Sequence, residues 1–135
     1  MKFDFEKFDY EEEDVFSMPS TSLAFVGDAL FSLFARAKVI NVFAKSGKFH
    51  MMATKIVNAS SQAKMLDAIL GELTEREKSV VRRAKNVHTS SKSKNSGLAD
   101  YKKATAFEAL LGYLYLTKNE KRLNDILEKS FEVEL

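Results

Sequence analysis

LAFVGDALFSLF at residues 23–34 and ATAFEALLGYLYL at residues 104–116 decide how this chain folds. Each stretch is almost wholly apolar and carries one carboxylate, Asp28 in the first and Glu108 in the second. No other acid lies between Val15 and Leu66, and none but Glu108 lies between Tyr101 and Asn119. With 19 acidic residues in the chain, that scarcity belongs to the two segments themselves. Apolar residues on nearly every side of a long helix mark a central element of a bundle. A carboxylate buried there without a partner, a proton or a metal costs several kcal/mol.

Helical steps of three and four place Asp28 on one face with Thr21, Ala24, Phe25, Phe31, Ser32 and Ala35. The same steps place Glu108 with Tyr101, Ala104, Thr105, Leu111, Gly112 and Tyr115. Both faces are rich in small residues. Gly27 stands beside Asp28, and Gly112 follows Glu108 by one turn. Glycine inside a helix costs about 1 kcal/mol against alanine. Two of them here predict helices packed side by side at close range, with their acids near one another.

The rest of the chain agrees with an all-α fold. It has 135 residues, enough for one domain with a real core, with five glycines and one proline. No Asn-Gly or Asp-Gly hairpin turn occurs. The lack of cysteine excludes a disulfide scaffold and fits a cytoplasmic protein. Residues 1–16 form an acidic arm with interspersed aromatics, unlike the basic then apolar run of a secretory leader. The longest apolar run, residues 23–43, contains Asp28, Arg36, Lys38 and Asn41 and does not read as a membrane span.

A long helix is expected from Ser17–Ser20 to about Ala44, with Gly47 as its C-cap. Residues 48–59 and 60–72 read as two helices or one bent helix. Thr74 and Glu77 have capping-box spacing and open a helix that runs to about Asn86. A long basic loop is expected over residues 87–99, after which Asp100 opens the second core helix to about Thr117. Asn119 is expected to cap a last helix ending near Phe131. Met51, Met52 and Met65 read as core fillers, and Phe31, Phe34 and Tyr113 as core or dimer contacts. His50 and His88 read as surface or capping residues.

Two neighbouring carboxylates cannot both stay ionised without a compensating charge. A divalent cation supplies it. Mg²⁺ accepts one or two protein carboxylates and keeps several waters, and it can activate water and stabilise charge on an attacked phosphodiester. Residues 76–103 hold nine lysines and arginines against two acids, a local surface suited to a polyanion. Arg82, Arg83, Lys85, Asn86, Lys92 and Lys94 are the candidates for contact with a nucleic-acid backbone, whose phosphates call for basic and small polar side chains. Hydrogen-bonded structural acids and a solvated basic face are the simpler alternatives.

These motifs also carry a resemblance. LAFVGDALFSLFAR resembles the signature segment of the ribonuclease III family, and ATAFEALLGYLYL its second acidic segment. RRAKN, a Ser/Lys loop and YKKATAFEALLGYLYL together are similar to Mini-III, the short bacterial branch without a separate double-stranded-RNA-binding domain. The similarity spans roughly residues 18–131 and implies that residues 1–135 form a single ribonuclease III-like catalytic domain. It implies a homodimeric endoribonuclease that cuts double-stranded RNA with Mg²⁺, or Mn²⁺ as substitute, and leaves staggered ends. The implied substrate is precursor ribosomal RNA, at the ends of the large-subunit 23S species. Asp28 and Glu108 match the family's essential aspartate and metal-binding glutamate. Thr21, Ala24 and Thr105 stand where larger relatives carry further acids, and Ala84 and Lys85 replace a glycine and an arginine. The reduced acid count leaves a second reading, a non-catalytic double-stranded-RNA-binding helical domain. A third reading is a structural adaptor whose acidic arm and basic segment bind proteins.

Overall fold

The computed structural model describes residues 8–43, 48–87 and 96–133. Among these, every regular element is helical: α1 (Glu12–Phe16), α2 (Ser20–Phe43), α3 (Phe49–Ile56), α4 (Ala59–Ile69), α5 (Glu75–Lys85), α6 (Ser96–Leu116) and α7 (Glu120–Ser130). A 3₁₀ turn, Leu70–Glu72, extends α4. Gly47, His88, Lys92 and Lys94 lie outside the described residues.

The helix ends follow from local chemistry. The Pro19 carbonyl accepts from the N–H groups of Ser22 and Leu23 and starts α2. Asn58 separates α3 from α4. Its Oδ1 accepts from the Ser61 N–H at 2.9 Å, and its Nδ2 donates to the carbonyls of Lys55 and Thr54 at 2.7 and 3.1 Å. One side chain thus closes one helix and opens the next. Thr74 and Glu77 form the expected capping box on α5.

One helix start departs from the sequence reading, and another stands where expected but is capped differently. The second core helix begins at Ser96, not Asp100, so the basic loop is shorter than residues 87–99. Ser96 and Gly97 are tolerated better in a first turn than in a helix interior. Asn119 precedes α7 but makes no side-chain capping bond. Its N–H is engaged instead, donating to the Leu114 carbonyl at 2.9 Å, while the Lys118 N–H donates to Tyr115 at 3.0 Å. With Lys118 at φ 59°, this is a Schellman end to α6 built without glycine.

The most central helix is α6, which packs on α2, α4 and α5. Ala106, Phe107, Ala109, Leu110 and Leu111 are fully enclosed. Phe107 meets Phe31 of α2 edge-on, with ring centroids 5.5 Å apart. α2 is apolar all round for a different reason. Its inner side enters the core, but Phe25, Leu33 and Ile40 are 82%, 69% and 53% exposed. Those three fall within about 80° around the helix axis at 100° per residue. Met65 is buried as expected, whereas Met51 lies on the surface and Met52 is half-buried.

Glu77 ties three elements together. It is 4% exposed, closes the α5 cap, and receives Arg122 of α7 through Nε at 2.9 Å and a terminal nitrogen at 2.8 Å. Arg122 also donates to the Glu72 carbonyl at 2.9 Å. Burial pushes the Glu77 carboxyl up, but the Arg122 and Thr74 hydrogen bonds outweigh it and hold the pKa below its usual value. Arg122→Ala leaves that charge enclosed and unpaired, so it should cost about 3 kcal/mol in urea unfolding. The pair's contribution is present above the ordinary glutamate pKa and is lost as pH falls through the depressed value. The gap between wild type and Arg122→Ala should therefore close in acid.

Candidate active site

Gly27 and Gly112 set the geometry of the site. A Cβ on Gly27 would lie 1.7 Å from the Glu108 carbonyl oxygen, and one on Gly112 would lie 1.9 Å from that of Leu23. The two contacts run in opposite order along the chain, so α2 and α6 cross antiparallel with their backbones touching. Only residues without a Cβ permit that approach. Asp28 follows Gly27 directly, and Glu108 is the residue against which Gly27 packs. The crossing therefore delivers both carboxylates to one place.

Asp28 is exposed and Glu108 half-buried. Asp28 acts on the Glu108 carboxyl from across the crossing, and two carboxyl groups placed so call for a shared proton or a cation between them. Burial first, then the hydrogen bond and charge of Asp28, raise the Glu108 pKa from its ordinary 4.5 to about 8. Gln62 of α4 opposes that rise by donating Nε2 to Glu108 Oε2 at 3.4 Å. The sequence reading missed Gln62. A single glutamine in SSQAKML carries no periodic signal, and its partner lies 46 residues away.

The positions where larger relatives would carry further acids are also placed. Thr21 is exposed, Ala24 is 9% exposed, and the Thr105 hydroxyl donates to the Tyr101 carbonyl at 3.0 Å. No group of three His, Cys, Asp or Glu side chains suited to a metal occurs among the described residues. The pair nonetheless fits a divalent cation. Its charge cannot be accommodated without a proton at neutral pH, and Mg²⁺ needs only one or two protein carboxylates.

The pH dependence follows from the raised Glu108 value. The folded chain holds this proton up to about pH 8, the unfolded chain only to about 4.5. Stability from this group is full below about 4.5 and is lost as pH rises toward 8. Glu108→Gln should therefore flatten the decline of Tm over that range, and added Mg²⁺ should raise the wild-type Tm most at the alkaline end.

The basic residues form a separate group. Arg82, Lys85 and Asn86 line one groove on α5 with Lys78, Leu70 and Val81. Arg83 points elsewhere. Its guanidinium donates to the Phe16 carbonyl and lies 4.6 Å from the Phe16 ring centroid, which Arg76 also approaches, at 4.0 Å. Arg76 also pairs with Glu12 and Glu13, and Tyr113 donates to Glu12 at 2.9 Å. Within the described residues, α1 is thus anchored on α5 and α6, and Glu12 and Glu13 neutralise part of the basic segment. Lys103 is likewise paired with Asp67 at 3.0 Å.

The sequence model of the Ribonuclease III domain matches residues 21–119, a span that contains the α2–α6 crossing and both acids. Among curated relatives, Mini-ribonuclease 3 of Thermoanaerobacter sp. is 41% identical over 123 residues, covering 90% of this chain and 87% of that protein. Mini-ribonuclease 3 of Brevibacillus brevis is 40% identical over 112 residues, covering 82% and 84%. The crystal structure of a Fusobacterium nucleatum protein matches with TM-score 0.77 and 31% identity, over 90% of this chain and 98% of that one. The chain belongs to the ribonuclease III family, within its Mini-ribonuclease 3 group, and is an endoribonuclease of that type. The family acts on double-stranded RNA and uses divalent metal. No helix among the described residues is long and apolar enough to cross a membrane.

Proposed function

We propose that the chain, as one catalytic domain over residues 1–135, cleaves double-stranded RNA at a Mg²⁺ site held by Asp28 and Glu108. The observation that carries this is the α2–α6 crossing, where Gly27, next to Asp28, packs directly on the backbone of Glu108, so that two acids meet with burial and Asp28 raising the Glu108 pKa. Asp28 and Glu108 would hold the cation, which would supply positive charge for the phosphodiester and lower the pKa of a bound water. Asp28 presents its carboxylate from the solvent side, where a phosphate arrives. Glu108 holds its carboxylate from the core side, fixed by Gln62. With two protein acids, the remaining coordination is left to water and phosphate oxygens.

Arg82, Lys85 and Asn86, with Lys92 and Lys94 beyond the described residues, are assigned to the RNA backbone. Arg83 supports that surface by locking α5 to Phe16. The resemblance to Mini-III supports precursor ribosomal RNA of the large subunit as substrate and the cytoplasm as the place of action. The exposed stripe of Phe25, Leu33 and Ile40 on α2, with Met51 58% exposed on α3, supports a homodimer. A two-fold dimer offers one site to each antiparallel strand of a duplex. Phe25→Asp should convert the dimer to a monomer in sedimentation while helicity is unchanged.

The reading is tested by incubating the protein with a long RNA duplex, its single strands and a DNA duplex, with and without Mg²⁺. Staggered cuts in the RNA duplex alone, only with Mg²⁺, are expected. Tight binding without cleavage at every Mg²⁺ or Mn²⁺ concentration would establish the non-catalytic binding domain instead.

A further inference from the structure

Gln62 is 4% exposed and is one of the buried residues of α4, whose others are Ser61, Ala63, Met65, Leu66 and Ile69. A primary amide taken out of water is unfavourable unless hydrogen-bonded. Its side-chain nitrogen is directed at Glu108 Oε2, at 3.4 Å and on a different helix. The amide is also mounted rigidly, because α4 is pinned at its start by the three hydrogen bonds of Asn58.

We infer that Gln62 is a positioning residue of the reaction: its amide orients the Glu108 carboxylate toward the cation shared with Asp28. This rests on the proposed function and goes beyond it, because it adds a third residue and a third helix to the site. The residue type is informative. An amide N–H can hold one carboxylate oxygen in place while leaving the group's negative charge for a cation. A lysine or arginine there would neutralise the carboxylate and compete with the metal. The amide also carries a carbonyl oxygen able to accept from water, which matters where only two acids serve an ion that keeps most of its waters. Groups that orient metal-binding side chains in this way typically contribute about 10- to 100-fold to affinity.

The test uses Gln62→Met, which keeps length and apolar volume but removes the amide. Mn²⁺ binding to the RNA-free protein is followed by electron paramagnetic resonance, and duplex cleavage is measured over a Mg²⁺ series. The variant is expected to bind Mn²⁺ about tenfold more weakly. It should need correspondingly more Mg²⁺ for half-maximal kcat, with KM for the duplex unchanged and kcat partly recovered at high Mg²⁺. Wild-type Mn²⁺ affinity and an unchanged Mg²⁺ midpoint would overturn the inference, including where Tm falls, since that is a structural role only. Should Gln62→Met not fold, the wild-type protein decides. The Gln62 side-chain amide resonances must shift on adding Mg²⁺, and their constancy would overturn the inference. If wild type binds no Mn²⁺ and cuts no duplex, the proposed function fails along with it. If wild type does both and only the Gln62 results are negative, the function stands without Gln62.

Discussion

Asp28→Asn and Glu108→Gln should each lower kcat on duplex RNA by on the order of a thousandfold, with the fold retained. The loss is expected to be of this size because neither acid has a substitute. No third acid suited to a metal accompanies them among the described residues, and Thr21, Ala24 and Thr105 offer no carboxylate. The folding side of the prediction separates the two variants. Asp28 is exposed, so Asp28→Asn should leave Tm nearly unchanged. Glu108 is half-buried beside a second acid, so Glu108→Gln removes an unfavourable charge and should raise Tm at pH 8. A double variant should lose no more activity than either single change, because both acids serve one site. Steady-state cleavage and thermal melts check all three statements, and full activity in either single variant would remove the acids from the mechanism.

Gly27→Ala and Gly112→Ala should be the most damaging single-atom-group changes in the chain. Each new methyl would meet a backbone carbonyl oxygen, at 1.7 and 1.9 Å, and backbone cannot rotate away as a side chain can. α2 and α6 would have to separate, at a cost of about 3 kcal/mol or more. For a domain of this size that is a fall in Tm of about 10 °C. Gly71 is the internal control. A Cβ there meets nothing within 4 Å, so Gly71→Ala should leave stability unchanged or raise it by about 0.5 kcal/mol. The Gly27 change should also depress cleavage beyond its effect on stability, since it displaces Glu108 from Asp28. Urea unfolding with parallel assays on the folded fraction measures both effects.

The crossing was legible before any coordinates because glycine in a helix interior is costly and was retained on two segments that each held one acid. Asp28, Glu108, Gly27 and Gly112 are close to a complete description of how α2 meets α6. The Thr74–Glu77 cap was legible because both partners lie within one turn. Features that depend on distant partners were not. Gln62 reaches Glu108, Arg122 reaches Glu77, and Arg76 and Arg83 both reach the Phe16 ring only once the helices have packed. Periodicity also misjudged which apolar residues enter the core. It assigned Met51 to the interior and gave no reason to leave Phe25 and Leu33 in solvent, because a sequence pattern does not distinguish a core face from one awaiting a second copy. At α6, the polar first turn concealed the true start. Ser96 and Gly97 are poor helix formers in isolation, and the helix forms there because packing of the rest of α6 sustains it.

The arm illustrates the same limit on charge. Counting basic residues over 76–103 gives a strongly positive segment, yet Arg76 is paired with Glu12 and Glu13 and Lys103 with Asp67. The positive surface left on α5 is the groove of Arg82, Lys85 and Asn86, bordered by Lys78, which pairs with Glu75 at 3.6 Å. Contacts within that groove are where RNA affinity and its salt dependence should be sought.

The central claim is that Asp28 and Glu108 hold one divalent cation between them. Anomalous diffraction from crystals soaked in Mn²⁺ tests it most directly. The account predicts a peak about 2.0–2.4 Å from a carboxylate oxygen of each residue. A Mn²⁺ peak touching only one of them, or a clear map with no peak at the α2–α6 crossing, would contradict it.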